Sequence, residues 1–385
     1  MEKNGLIWAE QKNYYSQALR RIYAFQHRDG SWGEDDSKMS LTAQAIQLLV
    51  SLGYNNDYPP LMKAIHWFDN NVPKGCPHWP SKIVVDIQTG KFESLKNAGY
   101  ISDFIKELSH DLEKPEQKDS LNIFWDVLPT VIALMPYEER DKSIVIPHKK
   151  LIQKLESDFE VYGDPSGDNA LIAVGNKPNH TGLVALYFSM ISERKGFEAY
   201  KNKSDAMINW LYANRQKDDD DNDIYWLGSK SVTSYILIDL NRCLAKDDNR
   251  RASFERILHF LTPDSQGRVG TDKVTTFNTE MHKDPTYISI LVLRALSDVL
   301  PNTSDEIETI KRMANEEDFI KDIHYKISAF ISVYKRIIPF ILCGFFFVVS
   351  IVLFFKGSTD NARLVLSIVL SVFFGMWFND LRAKD

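Results

Sequence analysis

Cysteine is scarce in this chain. Its 385 residues include three cysteines, Cys76, Cys243 and Cys343, which lie far apart in the sequence. They form neither the close pairs of a zinc site nor the even set of a disulfide framework. We therefore expect the bulk of the chain to reside in a reducing compartment.

A strong excess of one charge is also missing. Lysine and arginine total 46 against 52 aspartates and glutamates, giving a formal net charge of −6. Because nucleic-acid-binding domains usually carry a basic face, this balance argues against a nucleic-acid partner. The sequence starts Met1-Glu2-Lys3-Asn4 with no apolar run behind it, so we expect no secretory signal. Phosphate-binding loops, Gly-x-Ser-x-Gly motifs and nucleotide fingerprints are absent from the sequence as well.

One stretch near the N-terminus has a clear local pattern. A helix is expected to end near Gln26, and Asp29-Gly30 predicts a tight turn in which glycine accepts a positive φ. Trp32 follows the turn, and a second helix is expected to start near Ser40. The apolar residues of that second helix recur with a period of about 3.6 and are Leu41, Ala45, Leu48, Leu49 and Leu52. Taken alone, the stretch predicts one helix–turn–helix hairpin.

This stretch resembles the QW repeat of terpene cyclases and protein prenyltransferase β-subunits. Gln26, Gly30, Trp32 and the Thr42-Ala43 step stand where that family has its glutamine, its glycine, its tryptophan and the step that opens the inner helix. In the family these residues connect an outer helix to an inner helix and have a structural role. The resemblance implies an α/α toroid, in which helical hairpin repeats form two concentric layers.

Similar units recur along the chain at intervals of roughly 45–60 residues, a period that indicates a repeat architecture. The resemblance assigns the linker residues Trp79 and Trp226 the same structural role as Trp32. The segment 83–120 is interpreted as an insertion with its own helix at 100–112. Inner helices are expected near 40–52, 125–135, 181–192, 231–244 and 285–300. The predicted fold class is all-α, with a toroid domain over residues 1–302.

Composition changes after Pro301. Residues 303–336 predict an amphipathic connecting helix, and residues 337–355 are 19 consecutive residues without a charge. Residues 364–378 are again uncharged, so the segment 337–385 is predicted to contain two transmembrane helices joined by a short loop. A buried helical pair in a soluble core is the alternative. More basic residues flank the two spans than occupy the loop, so the N-terminal domain and the C-terminus are both expected in the cytosol.

Small residues recur on one face of the second predicted span. Ser367, Ser371 and Gly375 are spaced every four residues, and small residues let helices approach closely in lipid. Two interpretations remain open, namely packing of the hairpin within one copy and association of several copies into a homo-oligomer.

The sequence offers one weak candidate for a catalytic acid, Asp126. The class II cyclases that this chain resembles protonate an alkene with the middle acid of an Asp-x-Asp-Asp motif near the start of an inner helix. The acid run at 218–221 lies about ten residues too early and is expected to be a solvated loop. Asp126 is better placed, four residues before Thr130, but it has no acidic neighbour. Helix N-capping is the simpler role for Asp126.

The sequence contains no clear set of zinc ligands. Prenyltransferase β-subunits bind zinc through an aspartate, a cysteine and a histidine, and this chain has no Asp-x-Cys sequence. His180 and His282 could be metal ligands, but a hydrogen-bonded polar histidine is the more ordinary role. We therefore expect no metal and no cofactor.

A ligand cavity would be lined by residues at the starts of the inner helices. The candidates are Trp125, Thr181, Tyr235 and Tyr287. Aromatic walls suit an apolar or isoprenoid ligand. They suit a plain packed centre equally well.

Two functions from different classes fit this sequence. The first is a membrane-anchored, non-catalytic toroid that binds a lipid-like ligand or a protein partner and controls a two-span membrane effector. In layout alone, a sensor domain joined to two spans also resembles membrane effectors of bacterial antiviral defence. The alternative is a membrane-associated isoprenoid enzyme, similar to a terpene cyclase or prenyltransferase. A cluster of acids facing one cavity would favour the enzyme.

Overall fold

The computed structural model describes residues 2–34, 37–76, 78–113, 121–163, 170–217, 224–264, 267–269, 285–299 and 308–314. The chain divides into two compact units, residues 1–314 and 315–385, and all the described residues belong to the first. The predicted spans, with Ser367, Ser371 and Gly375, lie outside the described residues, as do the acid run 218–221 and His282. Within the described ranges, no helix combines the length and the apolar character that crossing a bilayer requires.

The described part of the chain is predominantly helical, which confirms the all-α prediction. Its α-helices are α1 (Glu2–Ala24), α2 (Lys38–Ser51), α3 (Pro59–Asn71), α4 (Pro80–Gln88), α5 (Phe92–Asn97), α6 (Tyr100–Glu113), α7 (Leu128–Glu138), α8 (His148–Glu156), α9 (Pro178–Ile191), α10 (Tyr200–Ala213), α11 (Lys230–Cys243), α12 (Phe254–Leu261) and α13 (Pro285–Val299). A π-helical turn at Ile123–Val127 precedes α7, a 3₁₀ turn at Asn249–Ser253 precedes α12, and residues 308–314 are also helical. Helices α2, α7, α9, α11 and α13 lie where the sequence predicted inner helices.

Proline marks the first turn of several of these helices. It occupies one of the first two positions in α3, α4, α7 and α9, and α13 begins at Pro285. The first helical position tolerates proline because its missing N–H would have no partner there, and its fixed φ already suits a helix. Local sequence therefore sets where these helices start.

Two short β-hairpins interrupt the helices. Strands β1 (Phe159–Tyr162) and β2 (Leu171–Val174) pair antiparallel, with Phe159 opposite Val174. Strands β3 (Gln216–Lys217) and β4 (Ile224–Tyr225) form a second antiparallel pair. Sequence analysis assigned no strands, because segments of two to four residues are too short for an alternating pattern to be recognised.

Contacts among six helices run in a closed cycle. Helix α2 contacts α4, α4 contacts α7, α7 contacts α9, α9 contacts α11, α11 contacts α13, and α13 contacts α2. Polar pairs join the two helices that are furthest apart in the sequence. The Ser51 and Ser297 hydroxyls lie 2.8 Å apart, and Arg294 Nη1 donates to Gln44 Oε1 over 2.8 Å. We refer to α2, α4, α7, α9, α11 and α13 as the six-helix cycle.

Further helices pack against members of the six-helix cycle. Helix α3 contacts α2, α6 contacts α4, α10 contacts α9, α12 contacts α11, and α1 contacts α13. The segment 83–120, interpreted as an insertion, contains most of α4 and all of α5 and α6, and α4 contacts both α2 and α7. Large apolar side chains are buried between these elements, among them Trp32, Phe68, Phe104, Phe188 and Trp226.

Candidate functional site

The linker between α1 and α2 is held by the residues of the predicted repeat. Gln26 Nε2 donates to the carbonyl oxygens of Gly30, over 2.9 Å, and of Pro60, over 2.8 Å. Gly30 has a φ of +99°, and a Cβ at this position would lie 2.5 Å from the carbonyl oxygen of Lys63. Glycine is therefore required both by the turn and by the close approach of α3.

Trp32 joins the two helices of this hairpin. Its indole Nε1 donates to the carbonyl oxygen of Ile22 near the end of α1 over 2.7 Å. Its backbone N–H donates to Thr42 Oγ1 in α2 over 3.0 Å. Trp32 and Thr42 are fully buried, so these bonds satisfy groups that water cannot reach.

The same arrangement recurs between α10 and α11. Trp226 Nε1 donates to the carbonyl oxygen of Leu211 over 2.9 Å, and the Trp226 backbone N–H donates to Thr233 Oγ1 over 3.1 Å. A third linker keeps the backbone half of the pattern with Val174 in place of tryptophan. There the Val174 N–H donates to Thr181 Oγ1 over 3.0 Å, and Thr181 is fully buried.

Trp79 is buried in the linker between α3 and α4. Its ring lies edge-on to Phe104, with a centroid distance of 6.3 Å, and 6.0 Å from the ring of Tyr100. Both aromatic partners belong to α6. Trp79 thus ties its linker to a neighbouring helix through ring packing, whereas Trp32 and Trp226 tie theirs through hydrogen bonds.

Asp126, the catalytic candidate, makes hydrogen bonds with two partners. Its Oδ1 lies 3.0 Å from Nδ1 of His78, and its Oδ2 accepts the backbone N–H of Asn122 over 3.1 Å. Asp126 is buried, whereas the His78 side chain is about half exposed. The hydrogen bond that His78 donates to Asp126, reinforced by the charge of that carboxylate, raises the pKa of His78 above 6.5. The side-chain cap of this turn is Asn122, whose Oδ1 accepts the Phe124 and Trp125 N–H groups, while Asp126 holds the Asn122 backbone and pairs with His78.

Three of the predicted cavity residues meet near the starts of their helical segments. Tyr235 and Tyr287 have their hydroxyl oxygens 2.7 Å apart, although they belong to α11 and α13. The ring of Trp125 lies edge-on to Tyr235, with the centroids 5.7 Å apart. We call Trp125, Tyr235 and Tyr287 the aromatic cluster. Thr181 makes the linker contact described above, and it is not among the contacts of this cluster.

His180 lies beside the aromatic cluster, at the start of α9. Its ring stacks on Phe124 with centroids 3.8 Å apart and lies edge-on to Trp125 at 6.3 Å. Burial, followed by the positive charge of Lys177, lowers the pKa of His180 to about 4, so the imidazole is neutral at pH 7. Sequence analysis considered His180 as a metal ligand, but its aromatic neighbours could not be read from the sequence.

A buried polar network between α7, α8 and α9 was not anticipated. Glu138 accepts hydrogen bonds from the Ile146 backbone N–H, over 2.8 Å, and from Arg194. His148 Nε2 lies 2.9 Å from Glu138 Oε2, and His148 Nδ1 lies 2.8 Å from the Tyr187 hydroxyl. Partial burial by itself raises the pKa of Glu138, but these hydrogen bonds outweigh it and bring the value to about 2. Tyr187 is fully buried, so the network suits a structural role.

Among the described residues, no group of three or more histidine, cysteine, aspartate or glutamate side chains is placed to hold a metal ion.

The helical residues 308–314 pack against the first repeat. Arg20 Nε donates to the carbonyl oxygen of Met313 over 3.1 Å, and Lys311 Nζ lies 4.6 Å from the ring centroid of Tyr54. Ile310 and Ala314 are buried. The start of the predicted connecting helix is therefore held by contacts with α1 and the linker after α2.

Comparison with known proteins gives no relative from which a function could be taken. No family model, no curated protein and no solved structure matches this chain.

Proposed function

We propose that residues 1–302 form a six-hairpin α/α toroid whose centre binds an isoprenoid-like ligand without transforming it. The closed contacts of the six-helix cycle support the toroid, because consecutive inner helices of a toroid touch and the last touches the first. The recurring tryptophan–threonine contact supports it too, since Trp32 and Trp226 make the same pair of bonds in separate hairpins.

The aromatic cluster is the observation that carries the binding function. Tyr235 keeps part of its surface accessible, yet burial raises the pKa of its phenol to about 12. A phenol open to bulk water would titrate near 10. Trp125 and Tyr235 then offer aromatic walls, and the hydroxyl of the fully buried Tyr287 holds that of Tyr235 in place.

The environment of Asp126 favours binding over catalysis. An acid that protonates an alkene must be protonated itself and must face the substrate. The Asp126 carboxylate instead contacts the His78 side chain and the Asn122 backbone N–H. An isoprenoid cyclase or transferase therefore remains the alternative and not the main proposal.

The proposal extends to the membrane segment. The uncharged stretches 337–355 and 364–378 are proposed to form two spans that hold the toroid at the cytosolic face of a membrane. Residues 308–314 lead towards these stretches and contact the first hairpin through Arg20 and Tyr54. We propose that a change in that hairpin on ligand binding is passed from residues 308–314 along the chain that follows them to the spans, which would act as the effector.

Photocrosslinking tests the binding site directly. The full chain in lipid nanodiscs is irradiated with a benzophenone analogue of farnesol, and the crosslinked peptides are identified by mass spectrometry. We expect crosslinks in peptides that contain Trp125, Tyr235 or Tyr287, and we expect Tyr235→Ala to remove most of them. Tyr162→Ala is the matched control, because Tyr162 is a partly exposed tyrosine on β1 outside the cluster.

Two results would count against this proposal. Crosslinks that map elsewhere, or that survive Tyr235→Ala unchanged, would exclude the aromatic cluster as the binding site. Conversion of farnesyl diphosphate into hydrocarbon or prenylated products by the same sample would favour the enzyme instead.

The effector role of the spans needs a separate exchange experiment. Residues 337–378 are replaced by an unrelated two-span hairpin of equal length, and cellular activity and membrane localisation are measured. Loss of activity with localisation retained is expected, together with reduced activity for Ser371→Leu. Full activity of the chimera would show that the native hairpin serves only as a membrane anchor.

A further inference from the structure

The helices of the six-helix cycle start on the same side of the described unit. Thr130 Oγ1, in the first turn of α7, donates to the carbonyl oxygen of Pro80, the first residue of α4, over 3.2 Å. The aromatic cluster joins the first halves of α11 and α13 to the turn before α7, and His180 brings the start of α9 to Trp125. These contacts connect starts with starts.

The ends of these helices meet on the opposite side. The serine pair described above joins the ends of α2 and α13. Asn56, in the segment after α2, donates through Nδ2 to the carbonyl oxygen of Thr89, just after α4, over 2.9 Å. Glu138, the last residue of α7, accepts a hydrogen bond from Arg194, which follows α9. The cycle helices therefore run in one direction, and the segments that follow them lie together.

The side on which the cycle helices end is basic, although the whole chain has a formal net charge of −6. We call it the end face and define it as the segment from each cycle helix to the first turn of the next helix, together with residues 308–314, which contact Tyr54. Its residues are 52–62, 89–95, 139–151, 192–203, 244–257 and 308–314. They include 15 lysines and arginines and ten aspartates and glutamates. Segments 139–151 and 192–203 carry most of the excess, with eight basic and four acidic residues.

Four exposed cations on these two segments make no ion pair with any described residue. They are Arg140, Lys142, Lys149 and Lys195. By contrast, the neighbouring Lys150 pairs with a glutamate of α6 over 2.6 Å. The four unpaired cations are thus available to an anionic partner outside the described unit.

Val145 projects from the middle of this charged region. It is 67% exposed, whereas Ile144 and Ile146 on either side of it are buried. The Ile144 N–H donates to the carbonyl oxygen of Asp141 over 3.1 Å, and the Ile146 N–H donates to Glu138 Oε1 over 2.8 Å. The backbone is therefore held on both sides of Val145, which presents a fixed apolar tip among cations.

We propose that the end face docks on a bilayer surface that contains anionic lipid, with Val145 among the head groups and the four unpaired cations against lipid phosphates and carboxylates. A cytosolic leaflet attracts basic residues that lie next to it, and an apolar side chain gains free energy by leaving water. Residues 308–314, which lead towards the proposed spans, contact this same face. The inference rests on the membrane attachment proposed above, which keeps the end face at a high effective concentration near lipid, so that a weak contact suffices.

A fluorescent label at Val145 tests this contact. The full chain, with its native cysteines replaced, carries NBD on Val145→Cys or on Val161→Cys and is reconstituted into vesicles of phosphatidylcholine with or without phosphatidylserine. Val161 is the matched control, because it is an exposed valine of β1, in the segment that leads to the start of α9. We expect a spin-labelled lipid to quench the Val145 label only when phosphatidylserine is present, and high salt to relieve the quenching. The Val161 label should stay unquenched in both kinds of vesicle.

Charge-neutralising variants test the role of the cations. Lys142→Gln combined with Lys149→Gln should lower the ratio of docked to undocked label by about 30-fold, since each basic residue near an anionic surface contributes about fivefold. Arg28→Gln combined with Lys177→Gln is the control, because it removes two exposed cations from the segments that precede α2 and α9. The control should leave the ratio unchanged.

Carbonate extraction of the same vesicles reports on the proposed spans separately. Protein that stays in the membrane with an unquenched Val145 label would overturn the docking surface and leave the spans standing. Protein that carbonate releases, although its label was quenched before extraction, would reject the spans and support the docking surface. Equal quenching in pure phosphatidylcholine, or no change in the Lys142 and Lys149 double variant, would overturn the proposal. Protection of the Val145 label from iodide without lipid quenching would indicate a second copy of the chain as the partner and would overturn it as well.

Discussion

The backbone N–H of Trp226 donates to the side-chain hydroxyl of Thr233 over 3.1 Å, seven residues along the chain. Trp32 and Thr42 make the same contact over 3.0 Å, ten residues apart. In both linkers the indole N–H returns to a carbonyl of the preceding helix. Each tryptophan thus makes hydrogen bonds to both helices of its hairpin. The number of residues between the tryptophan and the threonine differs, but the two hydrogen bonds are the same.

Removing one of these threonine hydroxyls should destabilise the fold. Thr233→Val keeps the shape of the side chain but leaves the buried Trp226 N–H without an acceptor, at a cost of about 1–3 kcal/mol in the free energy of unfolding. Thr233→Ser keeps the hydroxyl and should cost less. Chemical denaturation of the two variants measures the difference, and equal stabilities would show that the bond contributes nothing.

Gly30 and Gly53 provide a matched pair for backbone strain. Both have a positive φ, +99° and +74°, but only a Cβ at Gly30 would meet the carbonyl of Lys63, while Gly53 has nothing within 4 Å. Gly53→Ala should cost about 1 kcal/mol for the left-handed conformation. Gly30→Ala should cost at least about 2 kcal/mol more, because α3 must move. Similar unfolding midpoints would mean that α3 is free to shift.

Glu138 should make stability depend on acid pH. Its pKa in the folded protein is about 2, below the ordinary value of 4.5, so its contribution is complete above pH 4.5 and is lost as the pH falls. The shift corresponds to about 3 kcal/mol, of which about 2 kcal/mol should disappear between pH 5 and pH 3. Glu138→Gln should remove this part of the slope, whereas Glu193→Gln, at an exposed position, should keep it. Parallel curves for the wild type and Glu138→Gln would contradict the assignment.

The His78–Asp126 pair should act in the opposite direction. The pKa of His78 is raised in the folded protein, so the pair stabilises fully below pH 6.5 and loses its effect as the pH rises through the folded value. Between pH 6 and pH 8 the wild type should lose more stability than Asp126→Asn. The same variant should retain biological activity, because the Asp126 carboxylate contacts His78 and the Asn122 backbone N–H and has a structural role. Abolished activity in a folded Asp126→Asn protein would bring the enzyme alternative forward.

The proposed membrane topology can be tested by cysteine labelling. With the native cysteines replaced, Ser358→Cys in the loop between the spans should react with an impermeant reagent outside the cell. Gln153→Cys should react only after lysis, since Gln153 is exposed on the proposed cytosolic domain. We choose Gln153 because a buried position such as Ser16 would stay unlabelled on either side. The reverse pattern would reject the orientation.

Much of the local structure could be predicted from the sequence. Proline marks the first turn of several helices, and the apolar period of about 3.6 marks the buried face of α2. The tight turn at Gly30 and the linker role of Trp32 depend on residues within one hairpin. These features are local, so the pattern of neighbouring residues determines them.

The contacts that define the candidate sites depend on residues far apart in the chain. Asp126 meets His78, Tyr235 meets Tyr287, and Gln44 meets Arg294 across separations of 48, 52 and 250 residues. No periodicity within one helix specifies such pairs, because they form only when every intervening helix packs in its place. The sequence alone determined most of the helices and the linker after α1, because these depend on neighbouring residues, whereas tertiary packing decided that Asp126 pairs with His78 and that His180 stacks on Phe124.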